Sequence, residues 1–214
     1  MNLIYLLNEY IKKMDIQYAI CGGSAIDIFV GYKTRPHKDL DVAVFYHDRD
    51  KIIQYMLNDH WTIYEPCGGE LLHKINNIEE QLRIKSNIWC LKQDNPHYMF
   101  IEKEKNMFTV SFDGSEQTKL DFIEYLFNKH DDTHFLYARN NNVKRELKRA
   151  IMKTKGINYL APELVLLYKS TSMNNENQHD FKHTLPKMNE NQRIWLKNAL
   201  QFMYPNGHEW IEKI

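Results

Sequence analysis

The sequence predicts a mixed α/β lobe over residues 1–157 followed by a small helical lobe over 158–214. Three observations carry that division. Near the N-terminus an apolar strand runs into a Gly-Gly turn and a short helix, and a second apolar strand follows. The middle, Leu71 to Phe127, is rich in Ile, Phe, Tyr and Trp with scattered Asn and Gly, the composition of strands and hairpins. From Pro162 onward the apolar residues fall at helical spacing instead.

Taken in order, Leu3, Leu6, Leu7, Tyr10, Ile11 and Met14 recur every three or four residues and predict an amphipathic first helix. Gln17 to Cys21 reads as a strand, Ala25 to Val30 as a helix stopped by Gly31, and Leu40 to Phe45 as a second strand. Asp48 to Leu57 predicts a helix with Ile52, Ile53, Met56 and Leu57 inward, and Trp61 to Tyr64 a short strand. Asp113-Gly114 is the clearest turn signal and predicts a hairpin between Phe108–Phe112 and Lys119–Leu126. Thr133 to Ala138 reads as another strand. Pro162 suits a first helical turn for Glu163 to Ser172. Asn177 to Met188 and Glu190 to Phe202 follow as helices, the last stopped by Pro205-Asn206-Gly207.

Lys and Arg number 28, as do Asp and Glu, so no global field recruits nucleic acid or a membrane. Three cysteines without paired spacing (Cys21, Cys67, Cys90) argue against a disulfide framework or structural zinc site and fit a reducing compartment. The apolar start Met1 to Leu7 is interrupted by Asn8 and Glu9 before a signal-peptide core forms, and no run reaches membrane-spanning length. A soluble cytoplasmic protein is expected.

The chemistry concentrates in Cys21-Gly22-Gly23-Ser24 and Asp39-Leu40-Asp41. Glycines let backbone N–H groups approach phosphate oxygens, and the helix N-terminus behind them favours an anion. Ser24 offers a hydroxyl to the same phosphates. Alternate strand residues share a face, so Asp39 and Asp41 project together; their repulsion is relieved by a divalent cation between them. The absence of Gly-x-x-x-x-Gly-Lys-[Ser/Thr] argues against a P-loop NTPase.

Gly22 to Gly31, with Thr34-Arg35-x-His37-x-Asp39-Leu40-Asp41, resembles the aminoglycoside and lincosamide nucleotidyltransferases, within the DNA polymerase β-like nucleotidyltransferase superfamily. Tyr159 to Lys169 resembles a C-terminal helix of that branch. The resemblance implies a polymerase β-like catalytic lobe (residues 1–157), a C-terminal helical lobe (158–214), and transfer of NMP, AMP from ATP in the simplest case, onto a small-molecule hydroxyl. It implies one or two Mg²⁺ on Asp39, Asp41 and a third acid, for which Asp121 in Lys119-Leu120-Asp121-Phe122 is expected. Glu124 is the alternative, on the opposite strand face from Asp121 by its odd separation. Gly22, Gly23, Ser24, Arg35, His37 and Lys169 are expected around the nucleotide, Lys169 on the resemblance alone. A cationic antibiotic would draw on acids such as Glu79, Glu80, Glu102, Glu104, Asp131 and Asp132.

Two clusters remain. His179 and His183 stand at zinc-binding helical spacing beside Asp180, but no third ligand follows at suitable spacing, and a solvated face is expected. The basic segment Lys144, Arg145, Lys148, Arg149, Lys153 and Lys155 suits a triphosphate, an RNA backbone or an exposed amphipathic element. It is what supports the alternative of an RNA-directed or toxin-like transferase. A third alternative is a nucleotide-binding interaction protein that has lost catalysis.

Overall fold

The computed structural model describes residues 3–214; Met1 and Asn2, which open the apolar start, lie outside the described residues. In chain order the first half comprises α1 (Leu3–Lys12), β1 (Tyr18–Ile20), α2 (Gly22–Val30), β2 (Asp41–Phe45), α3 (Arg49–Asn58), β3 (Thr62–Gly68), β4 (Leu71–Ile75) and β5 (Asn87–Leu91). The strands β6 (Tyr98–Glu104), β7 (Met107–Phe112), β8 (Phe122–His130), β9 (His134–Leu136) and β10 (Lys144–Glu146) follow. The chain closes with α4 (Leu147–Ala150), β11 (Ile151–Thr154), β12 (Ile157–Leu160), α5 (Pro162–Lys169), α6 (Asn175–Thr184) and α7 (Glu190–Met203). The mixed α/β class holds. No helix of the described residues is long and apolar enough to cross a membrane.

The chain packs as two units, one running to Ile20 and resuming over Pro36–Lys129, the other formed by Cys21–Arg35 and His130–Ile214. These divisions fall elsewhere than residue 157, because the Gly-Gly helix and the region from His130 pack with the C-terminal helices.

In the first unit the strands lie in the order β1-β2-β8-β5-β3-β4-β7-β6. The β2–β8 pair is parallel, and the other ladders of this run are antiparallel. The Asp113-Gly114 hairpin is corrected here. β7 pairs with β4 and β6, while β8 pairs with β2 and β5, so residues 113–121 connect strands that are not neighbours. Leu7, Ile11 and Met14 at the first helix, and Ile52, Ile53 and Met56 on α3, are all buried. They share a core with the sheet face that carries Tyr125, whose hydroxyl reaches Met56 Sδ at 3.6 Å. On this side the buried Arg49 guanidinium donates to Glu65 at 2.9 Å and lies 4.5 Å over the Phe127 ring.

The opposite face holds a smaller cluster of Tyr64, Leu72, Leu91 and Phe122, packed by Trp89, Tyr98, Phe100, Phe108 and Val110. The sheet curls so far that aromatics of its last strand reach back across it. Phe100 stacks on Tyr64 at 4.3 Å and Tyr98 on Phe122 at 4.9 Å. That curl turns this face into a trough.

In the second unit Leu166, Leu167, Phe181, Leu196, Leu200 and Trp210 are the centre of one core. Pro162 opens α5, and a capping box of Asn189 and Gln192 opens α7, each satisfying backbone groups that a helix start leaves orphaned. The basic segment folds as β10, α4 and the β11–β12 hairpin. Within it Lys144 pairs with Asp131, Arg145 with the buried Glu163, and Lys148 and Arg149 with Glu146.

Candidate functional site

Within the first unit, the Asp-x-Asp motif straddles the start of β2. Asp41 opens the strand, whereas Asp39 and Leu40 lie in the segment before it, so the two acids do not alternate along one strand as expected. Leu40 is 2 % exposed in the core, while Asp39 is exposed and Asp41 half-buried. The loop entering β2 is tied down by His37, whose carbonyl accepts from the Gln117 backbone N–H at 2.8 Å. The Gln117 side chain in turn donates to the Lys119 and Phe122 carbonyls, both at 2.8 Å. Thus the approach to β2 is fixed against the approach to β8.

The parallel ladder sets Glu124 directly beside Asp41, and register partners point to the same side of a sheet. Glu124 accepts from Asn87 Nδ2 at 2.6 Å. The Trp89 indole N–H is buried with no hydrogen-bond partner at normal distance, yet it lies near enough to favour the ionised Glu124 carboxylate. Burial nevertheless raises the Glu124 pKa; the Asn87 hydrogen bond opposes that shift and the Asp39 charge adds to it. Asp121 precedes β8 rather than lying in it, and its carboxylate is 3.4 Å from Gln117 Nε2. Burial raises its pKa too, with Gln117 and then the charges of His97 and Lys119 acting against the rise. The preference for Asp121 over Glu124 is therefore reversed in geometry: the residue paired with Asp41 is Glu124. The Tyr98 phenol is raised first by burial and then by the charges of Asp39, Glu124, Asp121 and Asp41. Among the described residues no group of three His, Cys, Asp or Glu is already gathered at metal-holding separation.

Within the second unit, Gly22 takes φ +60°, a left-handed backbone that glycine adopts without cost. It follows an extended Cys21 whose carbonyl accepts from Ala25 N–H at 3.2 Å. The turn therefore leaves the N–H groups at the start of α2 without intrahelical acceptors, the usual anion-binding arrangement. Gly23 is buried and Ser24 is 3 % exposed.

Arg35 and Lys169 converge on one carboxylate, that of Asp180 on α6, which is itself fully buried. Arg35 donates to both Asp180 oxygens, at 2.9 and 3.0 Å, and Lys169 Nζ lies 2.8 Å away. Burial alone would raise the Asp180 pKa, but Arg35 and Lys169 outweigh it and hold the group below its ordinary value. The same loop is pinned twice more. Asp27 accepts from Thr34 N–H at 2.8 Å and its hydroxyl at 2.7 Å, and His179 Nε2 contacts the Thr34 carbonyl at 3.1 Å. His183 stacks on His179 at 4.0 Å and bonds its carbonyl, so this pair organises a loop. Asn87, Trp89 and Tyr98 were not singled out in the sequence, and Asp180 was named only beside the His179–His183 pair, since each acts through partners far away in the chain.

Residues 3–94 match the family model for aminoglycoside-2''-adenylyltransferase. No curated protein sequence matches the chain. Among solved structures, the lincosamide antibiotic adenylyltransferase LnuA, bound to lincomycin, is similar at 15% identity and TM-score 0.53, over 87% of this chain and 96% of that one. The antibiotic-resistance factor ANT(2'')-Ia, in its solution structure, is similar at 12% identity and TM-score 0.50, over 95% of this chain and 92% of that one. At such identities the likeness is one of fold, and that fold is the nucleotidyltransferase fold.

Proposed function

We propose that this chain is an aminoglycoside/lincosamide nucleotidyltransferase-like enzyme and that it moves NMP onto a hydroxyl of a small-molecule acceptor, AMP from ATP in the simplest case, in a Mg²⁺-dependent step. The observation that carries this reading is the Asp41–Glu124 pairing beside Asp39. Asp41 and its register partner Glu124, with Asp39 close enough for its charge to act on Glu124, are hard anionic oxygen donors, the donor type that Mg²⁺ takes. Burial raises the Glu124 pKa and the Asp39 charge adds to the rise; that added repulsion is what a divalent ion would relieve. When bound, that ion would neutralise the triphosphate and polarise its α-phosphorus.

The remaining roles follow from the chain's own groups. Asp39, Asp41 and Glu124 are the proposed metal ligands, with Glu124 in the place first expected for Asp121. Glu124, its proton affinity raised by burial, also accepts the proton of the acceptor hydroxyl. The acceptor oxygen forms its bond to the α-phosphorus as the bond to pyrophosphate breaks. The start of α2, with Gly22, Gly23 and Ser24, supplies backbone N–H groups and a hydroxyl to the phosphates. Arg35, His37 and Lys169 belong to the phosphate side of the same proposal, Arg35 and Lys169 held in place by Asp180. LnuA was solved with lincomycin, so lincosamides and aminoglycosides are the first acceptors to try.

Calorimetric titration of Mg²⁺-ATP and Mg²⁺-GTP into wild type and the Asp39→Ala/Asp41→Ala double variant tests the reading. Metal-dependent binding by the wild type, lost in the variant, is expected. Nucleotide binding that persists without metal or without both acids would overturn it.

A further inference from the structure

Register partners across five strands of the first unit fall in one transverse row. Asp41 pairs with Glu124, Glu124 with Trp89, Trp89 with Tyr64, and Tyr64 with Lys74. Because register partners share a face, the row reads acid, acid, aromatic, aromatic, cation along the trough. Three strand spacings put Lys74 about 14 Å from Glu124.

A cavity of about 240 Å³ opens over the far half of this row, lined by Tyr64, Lys74, Leu91, Tyr98, Phe100 and neighbours. Its lining contains no Asp or Glu. One of its two lysines, Lys92, is committed elsewhere, with its ammonium 2.7 Å from the Asp59 carbonyl and 4.6 Å over the Trp61 ring. Lys74 is half-buried and forms no ion pair among the described residues. The cavity is therefore lined by Tyr64 and Phe100, whose rings stack on each other at 4.3 Å, and by the cationic Lys74. Tyr98 bridges the two halves of the row, stacking on Phe122 in the strand that carries Glu124 and meeting Trp89 edge-on at 6.5 Å.

We infer that this cavity is the acceptor subsite, and that it takes a hydroxyl-bearing molecule with an apolar ring and an anionic group rather than a polycation. The ring packs along Tyr98, Phe100 and Leu91. The anionic group meets Lys74, and the hydroxyl extends toward Asp41 and Glu124. A polycationic aminoglycoside would place ammonium groups against a lysine in a lining without acids, which costs binding instead of adding to it. This inference rests on the transferase reading for the direction in which the hydroxyl points.

The test uses a matched pair of probes, 4-nitrophenyl β-D-glucuronide and 4-nitrophenyl β-D-glucoside, which differ by one carboxylate, with kanamycin as the polycation. Each is titrated into the wild type, Lys74→Gln and Phe100→Ala. The glucuronide is expected to bind about tenfold more tightly than the glucoside, the scale of one charge-assisted hydrogen bond. Lys74→Gln should abolish that preference, while Phe100→Ala should weaken both glycosides alike. Kanamycin binding more tightly than both, no binding of the glucuronide, or a preference that survives Lys74→Gln would overturn the inference. Wild-type Mg²⁺-ATP titration separates the two readings. If nucleotide binds through Asp39 and Asp41 but the Lys74-dependent preference is missing, only the acceptor class falls. If the preference is present and nucleotide fails to bind, the transferase reading falls and the acceptor role with it, while the cavity's preference for an anionic ligand stands.

Discussion

Glu124 and Asp121 are three residues apart and do different things. Glu124 stands beside Asp41 in the parallel ladder, whereas Asp121 serves the turn before β8 and contacts Gln117. Glu124→Gln keeps the shape and the Asn87 contact while removing the proposed base and metal ligand. Its turnover is expected to fall by at least about a hundredfold, the lower range for loss of a positioned acid or base. Asp121→Asn should keep turnover within a fewfold of wild type. A steady-state pyrophosphate-release assay on both variants decides, and the reverse ranking would return the third carboxylate to Asp121. The parity of the two residues was legible in the sequence; which of them meets Asp41 was not. That depends on a parallel register between strands far apart in the chain, and no local signal encodes it.

Among the elements, helices were the most legible, because apolar spacing and the residues at their ends are local properties. α5 begins at the proline that the sequence offered for that role, and α7 at the Glu190 from which its helix was expected. Strand partners were less so. Asp113-Gly114 has a hairpin's composition, yet β7 finds its neighbours in β4 and β6. α6 shows the same limit from the functional side. Its Asp180 joins Arg35 and Lys169, one far upstream and one on a neighbouring helix, and nothing near Asp180 in sequence announces either partner. Asp180→Asn leaves two cations facing a neutral amide in a dry site, and should cost about 3 kcal/mol of stability at neutral pH. The sign with pH follows from the lowered pKa. The carboxylate's contribution is complete above its ordinary value of 3.8 and fades as pH falls through the lower folded value. Urea unfolding of wild type and variant should therefore show a gap that is wide at pH 7 and narrows in strong acid. A gap unchanged across that range would mean that the pair is not what stabilises the loop.

For the molecule as a whole, equal numbers of acidic and basic residues leave no net charge to gather a polyanion. The basic segment that gave RNA its case is compensated locally, since Lys144, Arg145, Lys148 and Arg149 each face a carboxylate. Binding to RNA releases counterions and is steeply salt-dependent. Fluorescence anisotropy with a labelled tRNA is expected to show no saturable, salt-sensitive binding between low and physiological ionic strength. A steep salt slope, lost on neutralising Lys153 and Lys155, would restore the RNA-directed reading.

The Asp41–Glu124 adjacency is made by parallel strands, which no tight turn can join. Everything from α3 to β7 must be spooled out between them before the pair can close, at the entropic cost of a long loop. The two acids are therefore strangers in any partly folded chain. A newly made molecule acquires its proposed metal site only when this parallel pair has closed, so competence to bind metal reports on that closure.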